Sequence, residues 1–354
     1  MTSLKNRKCQ AVFFSAMSLF LLFASVCAAA PAQSASQAAG SGVVWKVATI
    51  APRGMGMSIL WEKEVLPKVK EATKGAVQYK IYWSGVMGDN AEMVRKMKAG
   101  DLEAAGLDAL GTSMAAKEFS VLQLPFLFSS YDEVDYVRAK MLPSFKKALE
   151  RNGFCLLMWL DQDFDQIYSS KYELSDPKQF AHAMFFNYGG TLEKKVYEAL
   201  GAKTAAQEPP DKVVTQVKSG AVDSGMAPAM WVAATQLYPS FRYVNTVKMR
   251  YSPGVVVCTK KARSSISEEN WKKLESLSQD LTKGFLEGIR RDNAKCLAGM
   301  VKYGLKSVSM TPENEEALRK ATRPVWDELA GNLYSKELLK EVESRLKEFS
   351  KKKK

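Results

Sequence analysis

Apolar positions along this chain alternate between two rhythms. Val43 to Ile50 is a short run rich in β-branched residues, which predicts a strand, and it stops at Ala51-Pro52-Arg53-Gly54-Met55-Gly56-Met57, a loop dense in chain breakers. From Ser58 to Thr73 the apolar residues Ile59, Leu60, Val65, Leu66 and Val69 return at three- and four-residue spacing, one face of a helix. Val77 to Trp83 then predicts a strand, Met87 to Lys98 a helix, and Leu102 to Leu107 a strand. Leu122 to Phe128, broken by Pro125, has the character of a buried connection, and the helix Tyr131 to Asn152 leads into the strand Phe154 to Leu160. Next come His182 to Asn187 as strand, Thr191 to Leu200 and Pro210 to Ser219 as helices, and Ala221 to Met226 and Tyr251 to Thr259 as strands. Ser267 caps a single long helix reaching about Tyr303, with Glu269 in its first turn. At about 1.5 Å per residue that helix exceeds roughly 50 Å. Pro312 to Phe349 is again helical.

Two of these stretches are near repeats. A helix runs into Lys98-Ala99-Gly100-Asp101-Leu102-Glu103, and another into Lys218-Ser219-Gly220-Ala221-Val222-Asp223-Ser224-Gly225-Met226. Each helix stops at glycine and enters an apolar segment beside an acid. Repetition of this grammar, with short β-α-β connections, predicts an α/β chain of two similar lobes with mostly parallel sheets flanked by helices and a ligand cleft between. The expected boundaries are 43–160 with 253–285 for lobe I, and 161–252 with 286–345 for lobe II, the long helix spanning both. In such sheets ligands lie beyond the carboxyl ends of the strands. That singles out the 51–57 loop, Trp83-Ser84-Gly85 and Asp108-Ala109-Leu110 in lobe I.

The N-terminus follows a different pattern. Lys5, Arg7 and Lys8 precede an apolar run from Ala11 to Ala30, and Ala30-Pro31-Ala32 supplies small residues for cleavage. This predicts a signal peptide over 1–32, with 33–42 a linker of Ala, Ser, Gln and Gly. Cys27 offers lipidation as an alternative. Removing the leader takes three cations and no anions, leaving +10 of the formal +13, part of it in a basic tail at 346–354. The remaining Lys and Arg are interspersed with acids and show no basic stripe with aromatics, so no nucleic-acid partner is expected. Cys155, Cys258 and Cys296 sit among apolar neighbours, as buried thiols do, and an odd number allows at most one disulfide.

Gly85-Val86-Met87-Gly88-Asp89, Leu124-Pro125-Phe126, Ala199-Leu200-Gly201-Ala202 and Gly220-Ala221-Val222-Asp223-Ser224-Gly225 occur in an order and spacing that resembles the extracytoplasmic substrate-binding proteins of TRAP (tripartite ATP-independent periplasmic) transporters, DctP type. The resemblance runs from about Val43 to Asp327. It implies a two-lobe periplasmic-binding-protein (clamshell) fold that closes on one small-molecule ligand in the periplasm. It also implies delivery to TRAP transporter integral membrane subunits, sodium-driven transport, no cofactor and no catalysis by this chain.

The chain departs from that family at the binding site. The family usually holds a carboxylate with an arginine in a pattern like D-x-K-G-x-K-x-R. The matching stretch, Asp176 to Asn187, has no arginine, and the position falls within Ala183 to Phe186. A second pocket arginine of some members falls at Asp165. A buried carboxylate without a partner costs several kcal/mol, whereas apolar lining rewards apolar area at roughly 25 cal/mol per Å². The expected ligand is therefore hydrophobic or amphipathic, a fatty acid or apolar organic acid. The candidate ligand-binding residues are Met55, Met57, Asp108, Trp159, Asp163, Phe164, Asp165, Phe185, Phe186, Asn187, Met226, Met230, Trp231 and Tyr251, with Tyr188 in the same aromatic set. Two rivals remain open: a polar organic acid held by another arginine such as Arg53 or Arg250, and an exported interaction protein without a small ligand.

Metal and enzyme chemistry find little support. Asp161, Asp163 and Asp165 alternate and would share one face of a strand, but the twelfth position of a calcium loop would be Tyr172. The lone His182 cannot build the usual zinc site; it sits in an alternating strand segment and is read as structural. No G-x-S-x-G, H-E-x-x-H or phosphate-cradling glycine loop occurs.

Overall fold

The strand-forming runs assemble into one mixed sheet in a computed structural model that describes residues 42–54 and 56–352. The expected leader, Cys27, the linker up to residue 41, Met55 and the last two lysines lie outside the described residues. The strands are β1 (Val43–Thr49), β2 (Val77–Tyr82), β3 (Ala104–Leu107), β4 (Phe154–Ser169), β5 (Met184–Asn187), β6 (Lys203–Gln207), β7 (Ser224–Ala227), β8 (Tyr243–Thr259) and β9 (Lys306–Val308). Their order is β2-β1-β3-β8-β4-β7-β5-β6, with β9 beside β8. Pairing is parallel for β1 with β2 and β3, and for β5 with β6 and β7. It is antiparallel where β8 meets β3 and where β4 meets β7 and β8.

This is the two-lobe α/β arrangement, with one correction. Instead of separate parallel sheets, two long strands tie a single sheet together. β4 continues nine residues beyond Leu160, and β8 begins eight residues before Tyr251. Polar residues hid these extensions. Asp161-Gln162-Asp163 has the composition of a loop, and the pairing register shifts between Leu156 and Met158, Asp161 and Asp163, and Asp165 and Ile167. Asp163 carries φ of 110° at the middle shift, a strained value for a residue with a Cβ.

The repeated helix endings are built as the sequence demands. Asp89 caps the helix Asn90–Ala99 by accepting from the Glu92 N–H at 2.9 Å. Gly100 (φ 86°) and Gly220 (φ 76°) end the helices Asn90–Ala99 and Pro210–Ser219 in the left-handed conformation. The first helix spans 57–72 and contains one π-type turn, Trp61–Val65. The long helix is Glu268–Lys302, with the Ser267 hydroxyl accepting from the Asn270 N–H. It buries Trp271, Leu274, Phe285 and Ile289, each worth about 1.5–3 kcal/mol of transfer free energy as an upper estimate.

Other expectations shift. His182 is exposed at the end of the 3-10 turn Pro177–His182, not in a strand, because β5 starts only at Met184. The expected helix at 312–349 is three helices, Pro312–Thr322, Pro324–Leu329 and Lys336–Lys352, interrupted at Pro324 and near Gly331. Edge strand β6 is largely solvated and gives no apolar signal. The segment from Leu122 to Phe128 is buried throughout, with the Phe126 N–H donating to the Met249 carbonyl at 2.6 Å.

Candidate functional site

Carboxyl ends of β3, β5 and β7 converge on one cavity, and β4 and β8 pass beside it. The two near repeats each contribute a wall. After β3 the chain turns at Asp108, whose carboxylate caps the helix Ala109–Ala115 by accepting from Gly111 N–H at 3.0 Å. After β7 it turns at Pro228 into the helix Ala229–Ala234, which carries Trp231. Asp108, Leu110, Gln123, Gln162, Asp165, Phe186, Tyr188, Met226, Trp231, Arg250 and Ser252 line the cavity, which holds about 470 Å³ of empty space, part of it open to solvent.

Asp108, Asp165, Phe186, Met226 and Trp231 of the predicted set therefore meet in one place, together with Tyr188. Met55 lies outside the described residues, and the remaining members do not line it. Trp159 packs on Phe119 and Phe145 at 5.2 and 5.7 Å. Phe164 lies between Tyr131 and Tyr251, and Phe185 against Tyr197 at 4.4 Å. These rings point to the core because successive strand residues face opposite sides, so Phe185 turns inward where Phe186 lines the cavity. The Asn187 side chain accepts from Gly190 N–H at 3.0 Å and shapes the turn after β5. The Tyr251 hydroxyl donates to Asp161. Met57 lines a separate apolar hollow with Trp61 and Trp83, and the Met230 N–H donates to Asn293 Oδ1 at 2.9 Å. Ala51, Met57 and Trp83 thus border that second hollow rather than the main cavity.

The three aspartates of β4 serve different partners, because the strand irregularities turn them apart. Asp161 accepts from Arg290 Nε at 2.7 Å, and Arg290 also grips Asp135. Asp163 accepts from the Tyr131 hydroxyl. Only Asp165 reaches the cavity. No group of acids, cysteines or histidine among the described residues is arranged to hold a metal ion.

The arginine expected on the β5 strand is absent, but the cavity is not free of arginine. Arg250 Nε donates to Asp165 Oδ2 at 2.5 Å, and Nη2 lies 3.5 Å from Glu193 Oε1. The Ser252 hydroxyl donates to Asp165 at 2.9 Å, and Glu193 accepts from the Tyr188 N–H at 3.0 Å and the Tyr197 hydroxyl at 2.7 Å. All three charged side chains are at most 8% exposed. Burial pushes the Asp165 and Glu193 carboxyls up, while Arg250 opposes that shift in both. Burial also raises Asp108, against hydrogen bonds from Gly111 and Tyr188. Arg53, by contrast, pairs with Glu62 on the surface.

Phe186 occupies a matching gap. A Cβ on Gly225 of β7 would lie 1.9 Å from the Phe186 ring, so this glycine is what lets the ring lie flat against the strand. Phe186 and Tyr188 sit 6.0 and 6.5 Å from Trp231, centroid to centroid, giving an aromatic wall. Gln123, Ser252 and Glu193 carried no local sequence signal for this site.

The family model for bacterial extracellular solute-binding protein, family 7 (DctP), matches residues 61–332. A solute-binding protein of Chromohalobacter salexigens is 20% identical over 74% of this chain and 77% of its own length. Among solved structures, the sugar acid binding protein DctPAm of Advenella mimigardefordensis, in complex with galactonate, superposes with a TM-score of 0.80 at 18% identity, covering 87% of this chain and 98% of that one. A TRAP periplasmic solute-binding protein of Ralstonia eutropha with bound (S)-2-acetolactate gives 0.79 at 24% identity, covering 86% and 99%.

Proposed function

Because the chain belongs to family 7 of the bacterial extracellular solute-binding proteins, the periplasmic binding proteins of TRAP transport, we propose that its cavity captures one small amphipathic molecule with an apolar body. The family is one of transport proteins that bind small solutes and work with TRAP membrane subunits. Among the described residues no helix is long and apolar enough to cross a membrane. We place the hinge of closure along β4 and β8, at the lobe boundaries 160/161 and 252/253, where Asp161 pairs with Pro253 beside a register shift.

The observation that carries the apolar reading is Phe186 on the strand where the resemblance expects a carboxylate-binding arginine. Leu110, Met226, Pro228 and Trp231 extend the same apolar lining. Such a surface favours apolar area. Calorimetry on the protein from residue 33 onward tests it, with fatty, branched and aromatic small molecules set against glucuronate, galactonate and succinate. Tighter binding of the apolar set is expected. Tightest binding of a sugar acid or dicarboxylate refutes it.

A second reading has one specific observation behind it. Arg250 lines the cavity, and the solved structures named above hold galactonate and acetolactate. On that reading an organic acid displaces Asp165 or Glu193 from Arg250. Loss of acid binding on Arg250→Met, with the fold intact, is its signature.

A further inference from the structure

We propose that the polar end of the ligand is an organic cation, a protonated amine or a substituted ammonium, carried on the apolar body. The proposal rests on the reading that this cavity is the ligand site. Its first support is the charge at the cavity. Arg250 is the one cation among the lining residues, and it already faces two carboxylates, Asp165 and Glu193. Asp108 is a second acid in the lining beside Asp165, held by Gly111 and Tyr188 with no basic side chain against it, while Glu193 stands behind Arg250. A carboxylate ligand entering here meets acids whose one counter-charge is already engaged. A cationic head supplies the positive charge this arrangement lacks.

The second support is independent of charge. Trp231, Phe186 and Tyr188 line the same cavity with their centroids 6.0 and 6.5 Å apart. Aromatic faces attract ammonium groups through the ring quadrupole, and clustered rings are the usual receptors for substituted ammonium ions. An acid beside an aromatic wall thus recognises the head, while Leu110 and Met226 take the body.

Calorimetry with size-matched pairs tests this: phenethylamine against 3-phenylpropionate, and hexyltrimethylammonium against octanoate. At least one amine is expected to bind about tenfold tighter than its acid partner, a difference of about 1.4 kcal/mol. Asp108→Asn should remove that preference without unfolding the chain, because asparagine also caps helices well. Trp231→Leu should weaken the ammonium more than the acid. Acids binding more tightly than their paired amines overturn the cation while leaving the apolar reading in place. Tightest binding of glucuronate or succinate overturns both. No binding of either amine at millimolar concentration overturns the cation alone, provided an apolar acid binds.

A different observation carries a second inference. Cys155 and Cys258 stand directly opposite each other on β4 and β8, and their thiols interact while both remain free. Directly paired residues of antiparallel strands have their Cα atoms within disulfide range, and the periplasm is oxidising. We infer that these two cysteines form a disulfide after export. The Cys258 thiol holds the Cys155 thiol below its usual range, which favours Cys155 as the attacking thiolate. It displaces one sulfur of an oxidised dithiol protein to give a mixed disulfide. The Cys258 thiolate then displaces the other sulfur, so the protein loses two protons and two electrons and the oxidant leaves as a dithiol. Protein taken from the periplasm, denatured and alkylated without reductant, should be labelled at Cys296 alone and weigh two hydrogens less than its reduced form. A disulfide-linked peptide pair should join 155 to 258, and Cys258→Ala should abolish it. Labelling of both Cys155 and Cys258 in that sample overturns the inference.

Discussion

Replacing Arg250 by methionine keeps most of the side-chain volume and removes one buried charge. The guanidinium stands between Asp165 at 2.5 Å and Glu193 at 3.5 Å, with all three side chains at most 8% exposed. Breaking a buried pair from one side costs about 3–5 kcal/mol, because a carboxylate is left in a poorly hydrated site. Here two carboxylates are left. Their other hydrogen bonds, from Ser252 to Asp165 and from Tyr197 and Tyr188 to Glu193, soften the loss without neutralising charge. The acids can also escape by taking up protons. Their folded-state pKa values are already raised by burial and rise further once Arg250 is gone. A carboxyl whose folded pKa exceeds its unfolded value binds more protons when folded, so stability falls as pH rises through that interval and returns in acid. The variant should therefore lose about 3–5 kcal/mol at pH 7.5 and distinctly less at pH 5. Urea unfolding at both pH values, with the slope checked for constancy, measures this. Adding Asp165→Asn should recover part of the loss, since it removes one of the stranded charges. A loss under about 1 kcal/mol that is equal at both pH values, of the size seen for exposed pairs, would refute a structural role for this ion cluster. It would leave Arg250 available for an acidic ligand instead.

Burial lifts the Asp163 carboxyl from 3.8 to about 6, against the Tyr131 hydroxyl that donates to it. Stability is therefore highest below the unfolded pKa and falls by about 3 kcal/mol as pH rises through 6; Asp163→Asn should flatten that part of the thermal-stability profile between pH 4 and 7, and an unchanged slope sinks the assignment. Gly225→Ala places a methyl 1.9 Å from the Phe186 ring, so a loss of about 1–3 kcal/mol and an altered ligand profile are expected, and a variant with native midpoint and native binding contradicts the close approach. Asn293 joins the long helix to the site by accepting from Met230 N–H at 2.9 Å and donating to the Gln162 carbonyl at 3.2 Å. Asn293→Ala should cost about 1–3 kcal/mol by stranding those groups, with faster hydrogen exchange at Met230, and native exchange there argues against the link.

Which parts of this molecule were legible in the sequence follows from how far each determinant reaches. Helix ends are local: Asp89, Gly100, Gly220 and Ser267 act within four residues of themselves, and each stands where the sequence places it. Apolar periodicity found the long helix to within a residue. The long strands failed the same test, because Asp161, Asp163 and Asp165 resemble loop until their partners are known. Arg290 lies 129 residues from Asp161, Tyr131 lies 32 from Asp163, and Arg250 lies 85 from Asp165. A buried charge is tolerable only with its partner in place, and no local window contains that partner.

The site divides along the same line. The strand-end rule located Asp108 and Leu110, and the near repeat located Met226, because both depend on where a strand stops. Choosing between Phe185 and Phe186, or between Trp159 and Trp231, depends on which side of the sheet a residue faces, and one register shift reverses that answer. Arg250 needed more still. As a lone arginine in a β-rich run it resembled an anion-binding group waiting for a ligand. Glu193 changes that meaning, since it arrives from the helix Thr191–Ala199 and places a second carboxylate against the guanidinium. An acidic ligand at Arg250 has to displace one of those two acids. The repeated helix–glycine–strand units set where the cavity is, and the partners that reach it from distant segments set its charge. Ligand class in this protein is thus a property of long-range pairing on a scaffold that local sequence already specifies.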